Sequence, residues 1–464
     1  MNRRRFLQIA GAALAGTSTL GIADRGRAAA PKSTKPNIIY IMADDLGQYD
    51  LGCCGGKHIL TPHIDRLAAE GVRFTQVYAG STVCAPSRST LMTGLHTGHT
   101  TVRGNSAAVG GPKPQGRIPL NDEDVTVAEA LKTAGYTTGI VGKWGLGEPD
   151  TPGIPNRQGF DFWFGYLNQR HAHDYWTDYL WRNTEKVTYP GNSEKTKKSY
   201  SHDRMAEESL GFIRRAADAD RPFFLYAAWT IPHGKLHPPD VKPYGDKPWS
   251  DAEKKYAAMV TRMDRDVGRL MALLEERGLD SNTIVFFCSD NGWTPSYTGK
   301  NSILASGGPL RGNKGNLYEG GLRVPMIVRW PGHIRPGTTS DQVWAFWDVL
   351  PTLADLAGAR PPQGVDGISM LPAILGKPQE KQHAYLYWEF RTGSFQQAVR
   401  CGDWKGIRQG TEAPLELYNL ADDLSEKHNV AAEHPDIVQR IEGYMAEART
   451  ESKHWPALPG KRKG

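Results

Sequence analysis

Short apolar runs and longer amphipathic stretches alternate through the first three quarters of this chain. Asn37–Met42 (NIIYIM), Pro222–Trp229 (PFFLYAAW) and Thr283–Cys288 (TIVFFC) are apolar nearly throughout rather than alternating. That is the pattern of strands buried on both faces. Thr137–Val141 and Val324–Trp330 add two more strands. Between them, Pro62–Gly71 reads as a helix opened by Thr61 and closed by glycine, and Val125–Gly135 as another. Asp251–Gly278 is a long amphipathic helix, with Tyr256, Met259, Val260, Met263, Val267, Leu270 and Leu274 at helical spacing. This order predicts an α/β fold: a large, mostly parallel or mixed sheet flanked by helices.

Past 344–376 the texture changes. Ala384–Phe390, Gln397–Arg408 and Glu416–Leu420 are strand-like segments joined by turns, followed by a helix over Pro435–Ala448. They predict a smaller C-terminal antiparallel sheet with one helix. The expected division is an export signal over 1–30, a catalytic α/β domain over 31–380 and a C-terminal α+β subdomain over 381–464, with a mobile tail at 453–464.

Charge is informative only by its location. The chain of 464 residues carries a formal +6, but five arginines against one aspartate in residues 1–30 supply +4 of it, leaving +2 for the rest. That balance gives no reason to expect a nucleic-acid partner. The same N-terminus, Asn2-Arg3-Arg4-Arg5-Phe6-Leu7-Gln8, then an apolar stretch Ile9–Ile22 and Ala28-Ala29-Ala30, has the layout of a twin-arginine-like signal. Its 14 apolar-region residues, broken by glycine and threonine, fall short of the roughly 20 a bilayer span needs. Export to the periplasm or exterior without stable membrane insertion is expected. Five cysteines (Cys53, Cys54, Cys84, Cys288, Cys401) make no disulfide scaffold at this length, and no Cys-x-x-Cys spacing suggests zinc.

Two pairs of oxygen donors stand at strand ends: Asp44-Asp45 after NIIYIM, and Asp290-Asn291 after TIVFFC and Ser289. Sites of open parallel sheets form at the carboxyl ends of strands, so the pairs can converge. Three carboxylates and an amide oxygen are hard ligands, suited to Ca²⁺, or to Mg²⁺. Either pair alone could as well cap a turn. Between them in sequence lies Cys84-Ala85-Pro86-Ser87-Arg88, continuing to Thr93-Gly94. A lone cysteine is usually a small buried hydrophobe. Here Pro86 favours a helix start whose free N–H groups would face an anion, and Arg88 adds a fixed positive charge.

The Cys-x-Pro-x-Arg segment, joined to the two donor pairs, resembles the nucleophile signature of the type I, formylglycine-dependent sulfatases, arylsulfatase-like enzymes of the alkaline phosphatase superfamily. The resemblance spans most of residues 36–350. Gly142-Lys143-Trp144-Gly145-Leu146-Gly147 is similar to the family's first lysine segment, Ile231-Pro232-His233 to its histidine, and Leu310–Gly315 with Tyr318–Gly321 to its second lysine segment. It implies that Cys84 is converted to formylglycine by a formylglycine-generating enzyme. It also implies that Asp44, Asp45, Asp290, Asn291 and the modified residue 84 hold the cation. Lys143 and Lys314, with Arg88, would grip sulfate oxygens, and His233 would protonate the departing alcohol. Glycines around both lysines suit close approach by a ligand. One departure stands out: Gly145 occupies the place where the family commonly has a second histidine. Either His171 or His173, in Gln169-Arg170-His171-Ala172-His173, is a candidate to enter the pocket as the missing base or a substrate contact, against a plain surface loop.

The expected activity is hydrolysis of a sulfate ester, on a sulfated sugar or an aryl sulfate. The 13 tryptophans and 18 tyrosines, and the stretch from Phe160 to His173 resembling exported bacterial glycan sulfatases, favour a carbohydrate, of galactose type. The alternatives are a phosphate or phosphonate ester hydrolase of the same superfamily, and an inactive exported glycan-binding protein with an unmodified thiol.

Overall fold

The computed structural model describes residues 35–107, 116–219, 221–392 and 394–457. Residues 1–30, expected to be an export signal, and the end of the tail lie outside the described residues. Among the described residues, ten strands form one mixed sheet. Across it, from one edge, run Thr338–Ser340, Val72–Phe74, Met326–Arg329, Thr283–Ser289, Asn37–Ala43, Phe223–Ala228, Thr137–Lys143, Phe162–Tyr166, Tyr179–Arg182 and Glu185–Thr188. The four central strands, Thr283–Ser289 through Thr137–Lys143, are mutually parallel. Met326–Arg329 enters antiparallel beside Thr283–Ser289, and the Tyr179–Arg182 hairpin extends the far edge antiparallel.

The apolar runs are uninterrupted because both faces of the sheet are covered. Along the central strand, Ile39, Ile41 and Ala43 belong to one core, and Ile38, Tyr40 and Met42 to the other. Helices Ser201–Asp218 and Asp251–Glu276 close the first face, and Cys84–Thr93, Val127–Thr133 and Val349–Ala357 the second. The long helix starts where Ser250 and Glu253 form a reciprocal capping box. Ser201–Asp218, Val349–Ala357 and the edge strands from Phe162 to Thr188 were not marked by the apolar pattern.

A separate antiparallel sheet, Leu386–Thr392, Ser394–Cys401, Trp404–Arg408 and Leu415–Asn419, carries helix Pro435–Glu447. The segment expected as one strand over 397–408 is two, reversed at Gly402, whose φ of +59° suits glycine. Tyr78, on a short parallel pair of Val77–Tyr78 with Trp344–Ala345, and Trp347 pack against Trp388 of this sheet.

Candidate active site

The four parallel strands end at one edge, and their registers decide what meets there. Met42 lies opposite Ala228 and Cys288, and Gly142 opposite Ala228. The next residues out are therefore Asp44-Asp45, Asp290-Asn291, the Trp229–His233 turn and Lys143. Backbone bonds tie them: Asp290 N–H donates to the Ala43 carbonyl (3.0 Å) and Asp45 N–H to Asp290 Oδ1 (3.1 Å). Asp45 turns with φ +64°, a conformation aspartate tolerates better than most residues.

Cys84 opens its helix and is buried, with Sγ 3.4 Å from Asp44 Oδ1 and 3.5 Å from Lys314 Nζ. Pro86 sits in the first turn, where its missing N–H is not needed. The loop bearing Lys314 is held beside the helix start because Gly315 N–H donates to Thr82 Oγ1 (2.9 Å) and to the Thr82 carbonyl (3.1 Å). Lys314 Nζ then reaches both oxygens of Asp45 (2.7 Å each) and lies 3.3 Å from His233 Nε2. His233 Nδ1 donates to the Gly234 carbonyl, which leaves Nε2 as the ring nitrogen that faces the site. Tyr297, unmarked by any sequence pattern, donates its hydroxyl to Asp45 Oδ2.

Arg88 and Lys143 form a layer beneath. Arg88 places Nε and Nη2 on Asp290 Oδ2 (3.1 and 2.8 Å) and donates Nη1–H to the Lys143 carbonyl (3.0 Å). Lys143 Nζ donates to Asp44 Oδ2 at 2.6 Å. Neither lines the open cavity; both are fully enclosed. Above them a cavity of about 310 Å³ is walled by Cys84, His233, Lys314, His173, Gln169 and Arg170, with Arg117, Asn105 and Ser106 at its side.

His173 stacks on His233 with ring centroids 4.1 Å apart. His171 points elsewhere: its Nε2 meets Thr177 Oγ1 at 2.6 Å and its ring packs against Tyr166 and Tyr179. The short helical turn His171–His173 separates the two rings. The glycines near the lysines serve the chain's own packing. A β-carbon on Gly142 would sit 1.9 Å from the Ala228 carbonyl oxygen, and one on Gly312 would be 2.9 Å from Tyr318 Cβ. Ligand approach is not what those two positions require.

Burial in this charged layer shifts its groups. Burial would raise the Asp44 carboxyl, but Lys143, His233 and Arg88 outweigh it and hold it well below the usual carboxylate range. Asp290 is pushed up to about 6 by burial and by the Asp44 charge. Burial and Asp44 push the Cys84 thiol far up, so it is a poor thiolate. Burial, then the His233 and Lys143 charges, lowers His173 to about 3, leaving it a neutral imidazole.

Three carboxylates thus face three fixed cations in nearly dry surroundings. Asp44, Asp45, Cys84 and His233 bring ligand atoms within 4.8 Å of one another, a cluster that can hold a metal ion. Asn291 Oδ1 is buried with no hydrogen-bond partner, while its Nδ2 donates to Asp45 Oδ1 (2.7 Å). An oxygen-rich donor set with one unpaired amide oxygen fits a hard divalent cation.

A pocket at parallel strand ends that can hold a cation, with Lys314 on its wall and a helix-borne residue at its floor, has the parts of a hydrolase of anionic esters. The sulfatase family model matches residues 36–359, and the N-sulphoglucosamine sulphohydrolase C-terminal model matches residues 313–451. N-acetylgalactosamine-6-sulfatase of Canis lupus familiaris is 35% identical, over 91% of this chain and 87% of its own. Arylsulfatase A of Homo sapiens is 34% identical, over 88% and 86%. The crystal structure of Ps i-CgsB superposes with a TM-score of 0.80 at 30% identity, covering 91% of this chain and 95% of that one. The same enzyme in complex with k-i-k-neocarrahexaose gives 0.79 at 30% identity, over 92% and 95%. The chain belongs to the sulfatase family and is a sulfuric ester hydrolase.

Proposed function

We propose that this enzyme hydrolyses sulfate esters of carbohydrates of galactose type, with position 84 working as formylglycine and Ca²⁺ as the cation. The observation that carries the reading is the setting of Cys84. Its Sγ lies 3.4 Å from a carboxylate oxygen and 3.5 Å from an ammonium at the floor of the cavity, where the thiol is held protonated. A thiol there is a weak nucleophile, and its thiolate would be repelled by Asp44. Formylglycine at 84 would supply a hydrated aldehyde, with one hydroxyl to attack sulfur and a second whose collapse frees sulfate. Asp44, Asp45, Asp290 and Asn291 would hold Ca²⁺, which would polarise oxygen as a Lewis acid.

The chain's own groups do the rest. Lys314 stands at the cavity and counters charge on the non-bridging sulfate oxygens, with Lys143 and Arg88 reinforcing the positive field from below. His233 faces the departing alcohol oxygen with Nε2 and gives it a proton from the imidazolium form, which burial disfavours and Asp45 and Asp44 favour. His173, neutral and stacked on His233 at the cavity wall, stands as a substrate contact or as the base where Gly145 provides none, and burial makes it the weaker choice for the second role. Arg117 and Arg170 give the mouth a positive rim suited to an anionic sugar. The relatives named for N-acetylgalactosamine-6-sulfate ester cleavage and for a neocarrahexaose complex support a carbohydrate substrate. The N-terminal 30 residues support export by a twin-arginine route, and no helix among the described residues is long and apolar enough to cross a membrane.

The test is intact-mass analysis of the peptide containing residue 84, together with sulfate release from sulfated sugars and from 4-nitrophenyl sulfate. A mass below that of cysteine and loss of turnover in Cys84→Ser are expected. Full activity in Cys84→Ser, or a preference for 4-nitrophenyl phosphate, overturns the reading.

A further inference from the structure

Gln169 stands where a side chain on Gly145 would project. A β-carbon built on Gly145, whose φ is +76°, would lie 1.9 Å from Gln169 Nε2 and 2.6 Å from its Cδ. The backbone shows why these residues meet. Thr137–Lys143 pairs parallel with Phe162–Tyr166, Lys143 opposite Tyr166, and the pairing runs on beyond both strands. Trp144 N–H donates to the Tyr166 carbonyl (2.9 Å) and Gly145 N–H to that of Leu167 (3.1 Å). The two segments leave the sheet side by side, and the carboxamide of the second fills the gap beside the first.

That carboxamide is only 4% exposed, and neither Nε2 nor Oε1 has a hydrogen-bond partner. A buried amide with both ends unpaired is costly, and native chains keep such groups where something else completes them. Gln169 walls the same cavity as Cys84, His233 and Lys314. Among the described residues no carboxylate lines that wall, whose charged side chains are Lys314, Arg117 and Arg170, so it favours an anionic ligand even though Asp45 and Glu148 partner Lys314 and Arg117 from behind. Accepting capacity is of no use to an anion; the Nε2–H groups are.

We propose that Gln169 Nε2 donates a hydrogen bond to a sulfuryl oxygen of the bound ester, a binding group in the space that Gly145 leaves open. The inference rests on the sulfatase reading. A carboxamide holds no exchangeable proton at working pH, so Gln169 binds and orients while proton transfer stays with the imidazoles.

The test compares Gln169→Ala, Gln169→Met and Gln169→Glu in two assays: kcat/KM for sulfate release from a sulfated monosaccharide, and affinity for inorganic sulfate by calorimetry in a Cys84→Ala background. A hydrogen bond to a charged oxygen predicts a roughly ten- to hundredfold loss in both assays for the alanine and methionine variants. Gln169→Glu, isosteric but a repelling acceptor, should lose more, with Tm unchanged throughout. Sulfate affinity within twofold of the parent in all three overturns the proposal. So does an active Gln169→Glu, because a carboxylate can still accept from a sugar hydroxyl and the residue would then read the sugar. Should the unmutated enzyme release no sulfate and its Cys84→Ala form bind none, the sulfatase reading falls and takes this proposal with it.

Discussion

Replacing Lys405 by methionine tests how the small sheet supports the Lys314 loop. Lys405 is wholly buried, with Nζ 2.8 Å from Glu319 Oε1 and 2.9 Å from Glu426 Oε1. Glu319 keeps other partners, Arg323 Nε and the Tyr78 hydroxyl on Oε2 at 2.7 and 2.8 Å. It belongs to the segment that carries Lys314, and Arg311 of that segment donates to the Glu426 carbonyl at 2.6 Å. Removing the ammonium leaves Glu426 with the Glu319 N–H on Oε2 (2.7 Å) and no cation. Breaking a buried pair typically costs about 3–5 kcal/mol. The carboxyl can escape that cost by taking a proton. Burial and the neighbouring Glu319 charge already raise Glu426 to about 7, against the pull of Lys405. An acid raised in the folded state holds more protons than when unfolded, so its contribution is fully present below 4.5 and lost as pH rises through 7. The escape therefore costs almost nothing at pH 5, and each pH unit above 7 adds about 1.4 kcal/mol, about 2 kcal/mol in all at pH 8.5. Urea unfolding of Lys405→Met and its parent should show a gap that is wider at pH 8.5 than at pH 5 by up to about 2 kcal/mol. A gap that is the same at both pH values, or wider at pH 5, refutes the argument.

Metal removal and His173 give two further tests. Three buried carboxylates and an unpaired Asn291 Oδ1 gain from a cation, so added Ca²⁺ should raise Tm with concentration and chelation should lower it and stop sulfate release; a Tm indifferent to both Ca²⁺ and Mg²⁺ refutes the ligand set. His173→Ala removes the ring stacked on His233 and should cut kcat about 10²-fold or more if it takes up a proton, whereas His171→Ala, whose ring packs away from the cavity, should leave kcat within a fewfold. Equal kcat in wild type and His173→Ala would remove His173 from the reaction.

The alternating apolar runs and amphipathic helices were enough to predict a layered α/β fold, because a strand covered on both faces has no polar face to show. The same logic placed Asp44, Asp45, Asp290 and Asn291 at strand ends. Edge strands such as Tyr179–Arg182 and Glu185–Thr188, half exposed, left no such mark. Nor did the antiparallel entry of Met326–Arg329, since a strand's pattern records its burial and not its hydrogen-bonding neighbour.

At the site, the chemistry of individual residues was readable and their distances were not. Local order placed the two donor pairs at strand ends and Cys84 at a helix start, because such positions are set by residues close in sequence; the sulfatase reading itself came from the resemblance of the Cys-x-Pro-x-Arg and lysine segments to that family. Which histidine of the 169–173 cluster faces the cavity depends on one short turn between two sheet-edge loops. That Gln169 fills the space beside Gly145, and that Lys405 braces the loop of Lys314 from 91 residues away, follows from side-chain packing between distant segments. Only the tertiary structure decides such contacts, because no local propensity encodes which remote surface a side chain will meet.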